Sequence, residues 1–150
     1  MITYKTILAA IDTSEEANEV LLRAHKMAEL HGAQLHVMTV IRPLSFTYSG
    51  FESTGMSQAM VNFETDVNAR TKEALEKIAI PLGITKEQMH VELGRPADEI
   101  KTKAENLQAG LIVLGSHGRH GLGLVLGSTS NGVLHGTTCD VLTVRIHSKD

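Results

Sequence analysis

The chain is poor in the residues that mark out several whole classes of protein. One cysteine in 150 residues, Cys139, excludes an internal disulfide framework and a metal site built on cysteines, and agrees with a reducing compartment. No apolar run approaches the roughly 18 residues that cross a bilayer. The opening stretch MITYKTILAAIDTS has no cleavage-site pattern and reads as the first strand of a cytoplasmic protein. Positive charge is not in excess: 14 Lys and Arg against 17 Asp and Glu leave a net charge of -3. The basic residues are interleaved with acidic ones, which disfavours binding to DNA or RNA. Internal repeats and low-complexity tracts are absent. What remains, 42% hydrophobic and 21% charged, fits one globular domain, 1–150, with a real core.

Periodicity divides that domain into alternating strands and helices. Tyr4 to Ile11 is a short apolar run ending at Asp12-Thr13-Ser14, the pattern of a buried parallel strand followed by a helix. Ser14 is expected to cap that helix, with Glu15 and Glu16 in its first turn. Ala17, Val20, Leu21, Ala24 and Ala28 recur at helical spacing until Gly32, and Gln34 to Ile41 gives a second strand, parallel to the first through a right-handed crossover. Residues 42–56 read as a long loop holding three of the five aromatic residues, Phe46, Tyr48 and Phe51. They form a lid over a crevice, an interaction surface, or a loop folded onto its own core. A helix over 57–80 places Met60, Phe63, Val67, Ala74 and Ile78 on one side and leads to a third strand, Met89 to Leu93. Pro96 opens the next helix, with Ala97, Ile100, Ala104 and Leu107 as its buried stripe. Leu111 to Leu114 is the fourth strand, and Cys139 to Ile146 the fifth.

This alternation predicts an α/β fold: an open five-stranded parallel sheet with helices on both faces. Ligands bind such sheets outside the carboxyl ends of the strands, where the strand order reverses. Asp12, Val40 and Gly115 all stand at such ends.

Between Leu111 and Ser130 the chain reads LIVLGSHGRHGLGLVLGSTS. Gly115, Gly118 and Gly127 allow close backbone approach and positive φ, while Ser128, Thr129 and Ser130 offer hydroxyls and N–H groups at a helix N-terminus, which favours an anion. That is the pattern of a phosphate cradle. It is neither of the two common ones, because GxGxxG would follow the first strand and no Lys precedes Ser128 as GxxxxGK[ST] requires. Plainer roles stand beside these: Asp12 as a helix cap, and the glycines as aids to tight packing, above all Gly121 and Gly123. His117 and His120 have no carboxylate or cysteine beside them, which disfavours a metal site; His117 and Arg119 either neutralise a bound phosphate or lie in solvent. Cys139 is expected to be a small buried hydrophobe rather than half of an intersubunit disulfide. No catalytic constellation is present: there is no G-x-S-x-G elbow, no Ser-His-Asp order, and no second acid beside Asp12.

The segment LIVLGSHGRHGLGLVLGSTSNGVLHGTTCDVLTVR resembles the C-terminal signature of the universal stress protein family. ILAAIDTSEEA, ELHGAQLHVMTVI and ELGRPADEIKTKAENLQAGLIVLGSHGR resemble its first strand with the Asp turn, its second strand, and its third-to-fourth-strand passage. The resemblance implies an adenine-nucleotide-binding, Rossmann-like sheet in strand order 3-2-1-4-5 and a small cytoplasmic protein tied to stress resistance. It also implies a homodimer paired through the last strand, where Val141, Leu142, Val144 and Ile146 would otherwise leave an apolar edge. Carried over, Asp12 and the backbone of Val40 meet adenine and Leu114 and Gly115 the ribose side. Gly118, Gly127, Ser128 and Thr129 hold the phosphates of ATP, with Mg²⁺. ATP-binding members place nine residues between the second glycine and the Gly-Ser or Gly-Thr; here eight, Arg119 to Leu126, separate Gly118 from Gly127. The shorter spacing resembles the A-type branch, which generally lacks nucleotide binding but often lacks the glycines too. Three functions follow: a nucleotide-binding stress protein, a dimeric interaction protein with an empty crevice, or a slow ATP hydrolase.

Overall fold

The computed structural model describes residues 2–12, 14–43, 54–116 and 127–146, with the backbone alone for 54–57. The elements are β1 (Thr6–Ala10), α1 (Ala17–His31), β2 (Gln34–Ile41), α2 (Thr54–Ala79), β3 (Met89–Leu93), α3 (Pro96–Leu107), β4 (Leu111–Gly115), α4 (Ser128–Leu134) and β5 (Asp140–Val144). All pairings are parallel, as the alternation predicts, and the sheet order is β3-β2-β1-β4-β5, as the family resemblance implies.

The chain steps from β1 to β2 to β3 in one direction and from β3 back past β1 to β4 and β5 in the other. With right-handed crossovers throughout, that reversal sends α1 and α2 to one face and α3 and α4 to the opposite face. Two cores result. Ile7, Ala9, Val37 and Val113 pack against Val20, Leu21 and Ala24 of α1 and Leu75 of α2. Leu8, Met38, Ile112 and Leu114 pack against Ile100 and Ala104 of α3 and Val133 of α4. Being covered on both faces is why β1 and β4 read as unbroken apolar runs instead of alternating ones.

Three local expectations are corrected. Ser14 does not cap α1. The helix starts at Ala17 with Glu16 at its N-cap and no side-chain cap bond, while the Ser14 hydroxyl donates to Asp12. The nearest acceptor thus lies in the preceding turn. The helix expected over 57–80 begins at Thr54, so a single Gly55, costing about 1 kcal/mol relative to alanine, does not stop a helix this long. Phe63 is not on a buried face but 53% exposed, with Val61 at 54%. The 26 residues of α2 span about 39 Å, whereas the eight of β2 span about 26 Å. The helix therefore outruns the sheet at its N-terminal end, and its buried residues, Leu75 and Ala79, lie near its other end.

The turn from β3 into α3 depends on Gly94. Its φ is +155°, its N–H donates to the Ile41 carbonyl at 3.0 Å, and a Cβ there would meet Glu99 Oε1 at 2.6 Å. That φ strains any residue with a side chain, and a Cβ would also force the Glu99 side chain to shift. The turn brings Pro96 and Ile100 over the end of β2.

Candidate functional site

A cleft of about 220 Å³ opens at the carboxyl ends of β1, β2 and β4, where the strand order reverses. Ala10, Ile11 and Asp12 come to it from the end of β1, Met38 and Val40 from β2, and Leu114 and Gly115 from β4. Gly127, Ser128, Thr129 and Ser130 close one end, and Pro96, Ile100 and Ile146 form part of the wall. Of the eight residues singled out in the sequence, seven (Asp12, Val40, Leu114, Gly115, Gly127, Ser128 and Thr129) line this one cleft. The eighth, Gly118, lies outside the described residues, as do His117, Arg119, His120 and the aromatic residues Phe46, Tyr48 and Phe51.

Asp12 does two things. Its Oδ1 accepts the Ser14 backbone N–H at 2.9 Å and also the Ser14 hydroxyl, bracing the turn that leads into α1. The same side chain lines the cleft.

Gly115 works through the absence of a side chain, since its φ is not positive. A Cβ on Gly115 would stand 2.6 Å from Ile146 Cδ1 and 3.3 Å from Val20 Cγ2. The bare glycine is what seats Ile146 beside the cleft. Gly127 is the N-cap of α4 at φ -60° and ψ 157°, an extended conformation open to any residue.

Three hydrogen bonds strap the start of α4 to the end of β4 and on to β5. The Gly127 N–H donates to the Ser116 carbonyl at 2.7 Å, and the Ser130 hydroxyl to the Gly115 carbonyl at 2.7 Å. The Ser116 N–H donates to the Val144 carbonyl at 2.8 Å. The Ser130 hydroxyl, counted in the sequence among possible anion donors, is thereby committed to the scaffold and buried. The first intrahelical bond of α4 runs from Asn131 N–H to the Gly127 carbonyl at 3.0 Å, leaving the amides of Ser128 and Thr129 ahead of it without intrahelical acceptors.

Sequence reasoning missed eight cleft residues. Ala10, Ile11, Ala17, Val20, Met38, Pro96 and Ile100 counted only as strand or helix residues and Ile146 only as part of an edge strand, because their meeting depends on the order of the strands. Cys139 stands just ahead of β5, half-buried, with its Sγ 3.2 Å from Thr137 Oγ1. Among the described residues no helix is long and apolar enough to cross a membrane.

These features have close relatives. Universal stress protein A homolog 1 of Coxiella burnetii is 38% identical over 141 residues, 94% of this chain and 96% of the relative. Universal stress protein UspA from Lactobacillus plantarum has the same fold, with a TM-score of 0.81 at 23% identity over 97% of this chain and all of that one. A universal stress protein solved in complex with cAMP matches with a TM-score of 0.61 at 25% identity, over 96% of this chain and 98% of that one. Residues 3–145 match the universal stress protein family as a whole. With that match over nearly the whole chain, and a relative 38% identical along almost its full length, the chain belongs to the universal stress protein family.

Proposed function

We propose that the cleft binds one adenine nucleotide, ATP with Mg²⁺, and that the protein is a cytoplasmic, nucleotide-linked binding protein without fast turnover. The observation that carries this reading is the convergence of Asp12, Val40, Leu114, Gly115, Gly127, Ser128 and Thr129 on one cleft. In it, Asp12 and the Val40 backbone meet the base, with Met38 and Ile100 as apolar walls. Leu114 and Gly115 meet the ribose, and the amides of Ser128 and Thr129 meet the phosphates. The relative solved with cAMP supports the adenine class. Among the described residues no group of three or more side chains suits a metal ion, and Mg²⁺ would be held chiefly through the nucleotide's own phosphates. Asp12, already engaged by Ser14, has no partner acid or base among the described cleft residues, which favours binding over hydrolysis.

Equilibrium dialysis with ATP and Mg²⁺, paired with native mass spectrometry, is expected to give one nucleotide per chain. Gly127→Val, which puts a branched side chain into the phosphate end, is expected to abolish binding. No binding at saturating ATP overturns the reading and leaves the empty-crevice interaction protein in its place.

The same reading includes a homodimer through β5. That strand pairs only with β4 among the described residues, and its Val141 and Leu142 are only half-buried in the single chain. An open apolar strand edge is a template for a second copy. Light scattering at tens of micromolar is expected to return twice the mass of the chain. A monomer at that concentration removes the dimer from the proposal.

A further inference from the structure

Two histidines meet on the α3 face of the sheet, at its β3 edge. His36 of β2 is in register with Leu8, and His90 of β3 with Met38, which puts both imidazoles on the side packed by α3. His36 Nδ1 and His90 Nε2 are 3.0 Å apart. The ring planes differ by 19° and the centroids are 5.3 Å apart. That separation is the nitrogen-to-nitrogen distance plus one ring radius at each end. The rings therefore lie edge to edge in nearly one plane, each nitrogen aimed at the other, rather than face to face. Such an N–H···N bond requires one of the two facing nitrogens to be bare.

The surroundings disfavour added protons. Lys103 reaches the pair from α3, Glu92 from β3, and the β1 side offers the apolar Leu8. Glu92 is already claimed by Lys103, whose Nζ lies 2.8 Å from its Oε1. Burial first, then the charges of Lys103 and His36, push His90 down to about 4 against the weaker pull of Glu92. Burial and then Lys103 hold His36 below its ordinary value.

We propose that the His36–His90 pair is an acid-opened clasp that fastens the edge strand β3 to β2. At neutral pH one facing nitrogen carries the shared hydrogen and the other accepts it. A first added proton enters on the far nitrogen of the donor ring, against burial and Lys103, and leaves the shared hydrogen in place. A second must enter on the facing nitrogen of the acceptor, setting N–H against H–N between two cations beside Lys103. The rings then part. β3 is where this matters, being five residues long with β2 as its only strand neighbour among the described residues. The register partners of His90 and Glu92 are Met38 and Val40, both in the cleft wall, so the clasp lies directly alongside the site.

In the unfolded chain both imidazoles titrate near 6.5, whereas the folded pair resists protons. The stability the pair contributes is therefore fully present above about pH 6.5 and is lost as pH falls toward 4. The test uses the full chain. Proton NMR of the imidazoles is expected to show both titrating below the ordinary 6.5. Gly94 N–H donates to β2, and Glu92 N–H alternates with it along the ladder. From pH 7 to 4.5, exchange protection at these two amides is expected to fall about tenfold further than at Ile112 in the interior strand β4. The double variant His36→Gln/His90→Gln is expected to lose that excess. Titration of either histidine at 6.5 or above, an equal fall at Ile112, or an undiminished excess in the double variant overturns the clasp. Should the double variant fail to fold, the two measurements on the unaltered protein decide.

Discussion

Leu8→Ala is expected to lower the free energy of unfolding by about 2–5 kcal/mol, a large share of the 5–15 kcal/mol typical of a domain. Leu8 is fully buried in the central strand, in register with Ile112 on one side and His36 on the other. Above it lie Ile100 and Ala104 of α3 and Val133 of α4. β1 is held by hydrogen-bond ladders on both edges and cannot move in to fill the space, so both the transfer loss and the cavity persist. Leu22→Ala, at a side chain on α1 that is 55% exposed, is expected to change stability by less than about 0.5 kcal/mol. Urea unfolding of both variants checks this. A cost under about 1 kcal/mol at Leu8 would mean that β1 is not the centre of the packed sheet.

The contrast between Leu8 and Leu22 also shows what the sequence reveals. Ile7, Leu8 and Ala9 form a continuous apolar run because β1 is covered on both faces, so the pattern that marks the strand also marks its central place. Helix stripes are equally plain where the helix lies over the sheet, as with Val20, Leu21 and Ala24 of α1. The pattern misleads at Phe63, where α2 runs past the end of the strands and an apolar residue at helical spacing is left 53% exposed. Periodicity records which way a side chain points along its own element, and carries no information on whether another element stands there.

The cleft is divided in the same way. Asp12, Val40 and Gly115 are legible because each sits at the carboxyl end of a strand, a position fixed by local sequence. Ile146 and the His36–His90 pair are not, since they depend on β5 lying beside β4 and β3 beside β2. Glycine 115 shows a third kind of gap. Its presence is obvious in the sequence and suggests freedom of φ, whereas its use is empty volume for a side chain 31 positions later.

That use makes Gly115→Val the sharpest probe of the site. The new Cβ falls 2.6 Å from Ile146 Cδ1 and 3.3 Å from Val20 Cγ2, and the two γ-methyls of valine need more room still. Val20 is fixed in the core, so Ile146 has to yield, and it already borders the cleft. Overpacking of this kind is expected to cost about 1–3 kcal/mol in urea unfolding. Binding of ATP is expected to fall at least as sharply, because the Gly115 carbonyl also holds the Ser130 hydroxyl at the start of α4. Adding Ile146→Ala removes the closest clash while leaving Val20 in contact. The double variant is therefore expected to recover more than half of the lost stability, a coupling of about 1 kcal/mol or more. Recovery of stability without recovery of binding would assign the valine methyls themselves to the ligand's space. No recovery of either would show that Ile146 does not occupy the seat that the bare glycine provides.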